Sequence, residues 1–176
     1  MTNNKKKSKR SSYIWIFLFS FSFIIGIVSV YGFYLYQSTM NKKENEFKET
    51  KAYVLDNDFL VEISKMEAFY EQHSYHIFLG QNKEQEEVIV FVPVPLEEEE
   101  IKVISARDII SEQQAIIKIS KECSKCKKIS VKPAMINDRP LWELTYFDAY
   151  NRYNIDYLTM EDGERYERLQ LNQTFK

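Results

Sequence analysis

The chain has 176 residues, with 24 Lys and Arg against 26 Asp and Glu, for a net charge of −2. Once an apolar N-terminal stretch is set aside, the remainder has room for one ordinary domain or two very small ones, which excludes a large enzyme core. Four glycines and two histidines give a hydrolase little to work with, and the sequence contains no Gly-rich phosphate loop, Gly-x-Ser-x-Gly elbow or Ser-His-Asp spacing.

From Tyr13 to Tyr36 there is no charged residue. As a helix this stretch is about 36 Å long, enough for a hydrocarbon core of about 30 Å. Tyr13 and Trp15 at one end, and Tyr31, Tyr34 and Tyr36 at the other, have the amphipathic rings that favour the two interfaces. Lys5, Lys6, Lys7, Lys9 and Arg10 precede the stretch without an acid, whereas Glu44, Glu46 and Glu49 dilute Lys42 and Lys43 after it. The positive-inside rule then puts the basic tail, residues 1–12, in the cytoplasm, and makes 13–36 an uncleaved signal anchor in the cell membrane with the rest extracellular. A cleaved signal peptide would have a shorter apolar region ending in a small-x-small site, and the exit here reads Tyr36-Gln37-Ser38-Thr39-Met40. Within the span, Ser22, Gly26 and Ser29 are small residues on one side and are candidates for a transmembrane helix contact. Setting aside the five cations of the tail leaves the remainder at −7, which argues against nucleic acid or other polyanions as partners. Lipid is expected to be met through the anchor.

The outer portion contains an internal repeat. Residues 75–93 set against 142–160 place Tyr75, Ile77 and Leu79 opposite Trp142, Leu144 and Tyr146, and Val88 and Val90 opposite Ile155 and Tyr157. Such alternation predicts strands with one buried face, paired as hairpins across 81–86 and 149–152. Further strands are expected over 63–70 and 129–136, each preceded by a helix. The first helix, Asn45 to Asp56, has Phe47, Val54 and Leu55 on one face. The second has Ser111 at the N-cap, Gln114 three residues on, Ile110 placed to staple against Ala115, and Ile116, Ile119 and Cys123 on the same face. Val92-Pro93-Val94-Pro95 is expected to end the sheet pattern as an edge or a connection. The prediction is an α+β protein with two units, 41–104 and 105–176, too small to be stable apart and therefore packed on one another.

The second unit reads Ser111-Glu112-Gln113-Gln114-Ala115, then Pro140-Leu141-Trp142-Glu143-Leu144, then Tyr157, then an Asp162-Gly163 turn before a last strand. This pattern resembles a PepSY domain, in which a helix packs across a small antiparallel sheet in a cystatin-like arrangement. A basic tail, one span and two such units look like the TseB-like (YpmB-like) family of membrane-anchored cell wall elongation regulators of Gram-positive bacteria. The resemblance implies a binding protein that acts on peptidoglycan synthesis through a class B penicillin-binding protein, without a cofactor or a catalytic group. Tyr75 stands where the second unit has Trp142, and the Cys pair is no part of the family pattern.

Cys123-Ser124-Lys125-Cys126 is the one motif that invites chemistry. A thioredoxin-type pair sits at a helix N-terminus, but this pair follows a helix, where the dipole opposes a thiolate, while Lys121, Lys125, Lys127 and Lys128 favour one. A structural disulfide or pair of thiols, a membrane-tethered redox protein or sensor, and a metal ligand pair all remain open. Zinc would require His73 and His76 from the other unit, and His-x-x-His on a strand sends its rings to opposite faces. His73 is expected at an exposed turn and His76 on an outward face. Glu97 to Glu100 lack the loop geometry of a calcium site and read as a solvated connection. Phe147, Tyr150, Tyr153 and Phe175 are the expected aromatic anchors of an interface. A protease-inhibiting role rests on fold analogy alone.

Overall fold

The computed structural model describes residues 5–71, 73–97, 100–123 and 125–171, with side chains from Ile14 onward. Phe175, Glu98, Glu99 and Ser124 lie outside the described residues. The chain divides after Asn45 into two compact units, 1–45 and 46–176. Helix α1 runs over Lys5–Asp56, so the expectation of a span and a separate helix over 45–56 is corrected to one element. Between Gln37 and Glu44 the residues are mostly strong helix formers with neither Gly nor Pro, and nothing stops the helix there. Its apolar stretch is long enough to cross a membrane, and none of it is buried against protein.

Residues 46–176 carry two antiparallel four-stranded sheets. The first contains β1 (Glu62–Tyr70), β2 (Ser74–Gln81), β3 (Glu87–Val94) and β4 (Lys102–Ser105), in spatial order of sequence. Helix α2 (Glu112–Glu122) follows, and then β5 (Lys127–Ile136), β6 (Arg139–Phe147), β7 (Tyr153–Thr159) and β8 (Arg165–Leu171), again ordered sequentially. Both long hairpins turn on a carboxylate or amide that accepts backbone hydrogens. Asn82 Oδ1 takes the amides of Glu84 and Glu86, and Asp148 Oδ1 those of Tyr150 and Arg152, which is the Asx geometry expected of these residues in turns. Gly80 has a steric reason to be glycine. A Cβ there would lie 1.9 Å from the carbonyl oxygen of Glu62, where β1 is irregular in register between Ile63 and Lys65.

β3 runs through Pro93 and ends at Val94, before Pro95, and Pro93 is paired with Tyr75 on β2. On its other side, β3 meets β4 only from Val88 to Phe91, so the missing amide of Pro93 falls where the strand has become an edge. The bond between Val94 and Pro95 is cis.

The first sheet is apolar on both faces. Phe78, Val88, Val90 and Val92 pack with Val54 and Leu60, and with Phe47 of α1. Phe69, Tyr75, Ile77, Ile89 and Phe91 on the opposite face join Ala115 and Ile119 of α2 and Leu141, Trp142, Leu144, Tyr146 and Tyr157 of the second sheet in one core. The two repeats share that core, so residues 46–176 are one compact body and not two. Burial of this shared apolar surface, worth about 25 cal/mol per Å², stabilises both halves together.

Candidate functional site

The positions singled out from sequence in the second half are brought together around α2. The helix opens with a reciprocal capping box: the Ser111 hydroxyl accepts the Gln114 amide at 3.2 Å, and the Gln114 side chain accepts the Ser111 amide at 2.7 Å. Ala115 is buried, and the Trp142 indole Nε1 donates to the Ile110 carbonyl at 2.8 Å, tying β6 to the residue before the cap. Leu144 is fully buried beside it. Asp162 and Gly163 make the turn into β8. The Asp162 side chain receives the Thr159 hydroxyl and the Glu164 amide, and these hydrogen bonds hold its carboxyl below the usual range. Gly163 has φ 72°, and a Cβ there would meet Ile110 Cδ1 at 2.7 Å.

Tyr157 joins the two sheets. Its hydroxyl lies 3.1 Å from Glu71 at the end of β1 and 3.1 Å from Glu143 on β6, and Lys132 pairs with Glu143 at 3.1 Å. Burial first, then the charges of the two glutamates, push the phenol well above its ordinary pKa, so it remains a proton donor.

Asp156 is fully buried on the α2 side of β7, with Arg168 donating to both its oxygens at 2.7 Å and Arg165 at 3.2 Å. Glu122 at the end of α2 pairs with the same two arginines. The hydrogen bond to Asp156 raises the Arg168 pKa further above its already high value, and burial followed by the Asp156 charge raises that of Tyr146. This network was hidden in the sequence, where the alternation of Ile155 and Tyr157 pointed to one buried face of β7. The strand is buried on both faces, and the register irregularity between Tyr157 and Leu158 brings Arg165 and Arg168, three residues apart on β8, to the same carboxylate.

His76 corrects a second expectation. It is 1% exposed and not on an outward face: α1 covers that face of the first sheet, with Thr50 Oγ1 2.8 Å from His76 Nδ1 and the Phe47 ring centroid 4.3 Å away. Desolvation lowers the His76 pKa, partly offset by the Glu46 charge. His73 is exposed, as an exposed turn requires.

Cys123 and Cys126 are joined by a disulfide that closes the turn after α2, with Cα atoms 5.4 Å apart. Both are half-buried at the border of the shared core. Phe147 and Tyr153 stack edge to face at 5.3 Å, and Tyr150 is 80% exposed with the Arg152 guanidinium 5.0 Å from its ring. On α1, Ser22 and Gly26 floor a shallow apolar groove flanked by Phe19, Phe23 and Tyr31, while Ser29 does not line it. A separate cleft of about 440 Å³ opens where the Ser111 end of α2 meets Gly80 and Glu62 of the first sheet, with Trp142 at its base.

Three comparisons bear on this arrangement. Residues 49–93, the end of α1 and the first three strands, match the family model described as the cell wall elongation regulator TseB-like domain. The probable cell wall elongation regulator TseB of Bacillus subtilis (strain 168) is 27% identical over 132 residues, covering 74% of this chain and 80% of the relative. The chain is thus similar to TseB-like proteins in sequence. The solved YpmB protein from Bacillus subtilis shares the fold, with a TM-score of 0.60 at 24% identity, over 69% of this chain and 94% of that one.

Proposed function

We propose that the protein is a membrane-anchored, extracytoplasmic binding protein that regulates cell wall elongation by contacting a class B penicillin-binding protein, and that it is not itself an enzyme. The observation that carries this reading is its similarity to a probable cell wall elongation regulator over 132 residues. The polar chemistry of the body is consistent with it: Asp156, Glu143, Tyr157 and His76 each spend their polar atoms on internal partners that hold strands and helices together. In this reading 13–36 is the signal anchor, residues 1–12 are cytoplasmic, and the two sheet units are PepSY-like halves of one extracellular body. The span offers the Ser22 and Gly26 side, with Ser29, to a partner helix. Anchoring confines both proteins to two dimensions, so a weak pairwise contact suffices.

In-cell crosslinking of the tagged full-length chain, followed by detergent extraction and mass spectrometry, tests the proposal. Enrichment of a class B penicillin-binding protein is expected, and recovery of no wall-synthesis enzyme would overturn it. The Cys123 and Cys126 pair supports a second reading, a tethered thiol redox protein or sensor. That reading requires mixed disulfides with other proteins that vanish in the Cys123→Ser, Cys126→Ser double variant.

A further inference from the structure

The far end of the second sheet, where the expected interface aromatics Phe147, Tyr150 and Tyr153 lie, also gathers cations. Reading across the ladder, Lys127 on β5 is paired with Phe147 on β6, Phe147 with Tyr153 on β7, and Tyr153 with Leu171 on β8. One register row thus ends the sheet with a cation, two aromatics and a leucine. The disulfide turn and the 148–152 turn flank this row. Lys121, Lys125, Lys127 and Lys128 are all exposed around the disulfide turn. Among the described residues, none of the four is in an ion pair, and Lys128 lies 5.8 Å over the Phe147 ring. The acids at this end are already engaged, Glu122 with Arg165 and Arg168, and Asp148 with Arg152. Although the extracytoplasmic portion is acidic overall, this end is therefore locally cationic. On the other side of the row, Tyr150 is 80% exposed and Leu171 59%.

Unpaired lysines beside exposed aromatic and aliphatic side chains match the chemistry of an anionic lipid surface. The ammonium groups meet headgroup phosphates, and the tyrosine and leucine enter the boundary with the acyl chains. A soluble polyanion would satisfy the lysines but give Tyr150 and Leu171 nothing. The disulfide ties the backbone on either side of Lys125 together at the end of α2. We propose that the Lys121, Lys125, Lys127, Lys128, Tyr150 and Leu171 end of the second sheet docks peripherally on an anionic phospholipid surface. This goes beyond partner binding, and it holds whether or not the partner is a penicillin-binding protein.

The test uses the full-length chain in nanodiscs of neutral phosphatidylcholine, mixed with separate vesicles of phosphatidylcholine with or without 30% phosphatidylglycerol, and read by co-flotation. The unmodified chain, the quadruple variant K121Q/K125Q/K127Q/K128Q and the double variant Y150S/L171S all retain the basic tail, so differences between them report on this end alone. Binding to the anionic vesicles is expected to fall by on the order of 100-fold or more in the quadruple variant, about fivefold for each lysine. A weaker but measurable loss is expected in the double variant. Unchanged flotation of the quadruple variant would overturn the proposal. Loss in the quadruple but not the double variant, with inorganic polyphosphate competing fully, would instead assign the surface to a soluble polyanion and overturn the lipid assignment.

Discussion

Trp142 and Ile110 are joined by a single hydrogen bond, indole to carbonyl, at 2.8 Å. It fixes the residue before the α2 cap to the middle of β6, so the helix is positioned by a strand that it also covers. Trp142→Phe keeps most of the apolar volume and strands the Ile110 carbonyl, and is expected to cost about 1–2 kcal/mol. Trp142→Ala adds a cavity and is expected to cost about 3–5 kcal/mol. Urea denaturation followed by circular dichroism measures both, and a Trp142→Phe variant as stable as the parent would mean the indole nitrogen contributes nothing.

Tyr157→Phe removes the hydroxyl that Glu71 and Glu143 share across the two sheets. A loss of about 1.5–3 kcal/mol is expected, because hydrogen bonds to charged groups are the stronger kind. Glu71→Gln alone, at the more exposed partner, should lose less. A double-mutant cycle on the pair reads the coupling directly.

His76 makes stability depend on pH in a defined direction. Its folded pKa is lowered, chiefly by burial, so the unfolded chain binds more protons in the interval between the two values. Stability is therefore full above the unfolded value of about 6.5 and falls as pH drops from there toward the lower folded value. His76→Gln should flatten that part of the curve. Thermal melts at a series of pH values between about 5 and 8 would count against this if the variant and the parent kept parallel slopes.

Gly80→Ala places a methyl group 1.9 Å from a backbone oxygen, and only movement of β1 can relieve it. A loss of about 1–3 kcal/mol is expected from overpacking. Crowding of this kind acts on β1 and on the α2 start that lies against it, so the Asp148 turn of the second sheet should be unaffected, which amide exchange at Arg152 can check.

Cys123→Ser with Cys126→Ser opens a very short loop, for which chain-entropy reasoning gives a stability loss of about 2 kcal/mol or less. Partner recovery by crosslinking is expected to survive the change. A variant that folds with nearly parental stability but fails to recover the partner would point to thiol chemistry.

Strand alternation at Tyr75, Ile77 and Leu79, and again at Trp142, Leu144 and Tyr146, was enough to place both hairpins, because a period of two needs no tertiary information. Ser111 and Gln114 identified the α2 start for the same reason: the capping box is local. His76 and Asp156 are not legible, because each depends on what lies across the strand: α1 over His76, and Arg165 and Arg168 over Asp156. The edge position of Pro93, by contrast, follows from its missing amide. The unbroken course of α1 through Asn45 is not marked in the composition, which turns polar after Tyr36, because backbone hydrogen bonding continues wherever no residue interrupts it.

The sheet formed by β1 to β4 is the middle layer of residues 46–176, closed by the end of α1 on one face and by the shared core on the other. Water therefore reaches the amides of β2 and β3 only after one of two covering layers has lifted, and these amides should be among the last in the molecule to exchange with solvent. The segment matched by the TseB-like model, residues 49–93, includes this slow-exchanging centre. Successive side chains along β2 and β3 must therefore suit two different neighbours in turn, the end of α1 on one face and the shared core on the other.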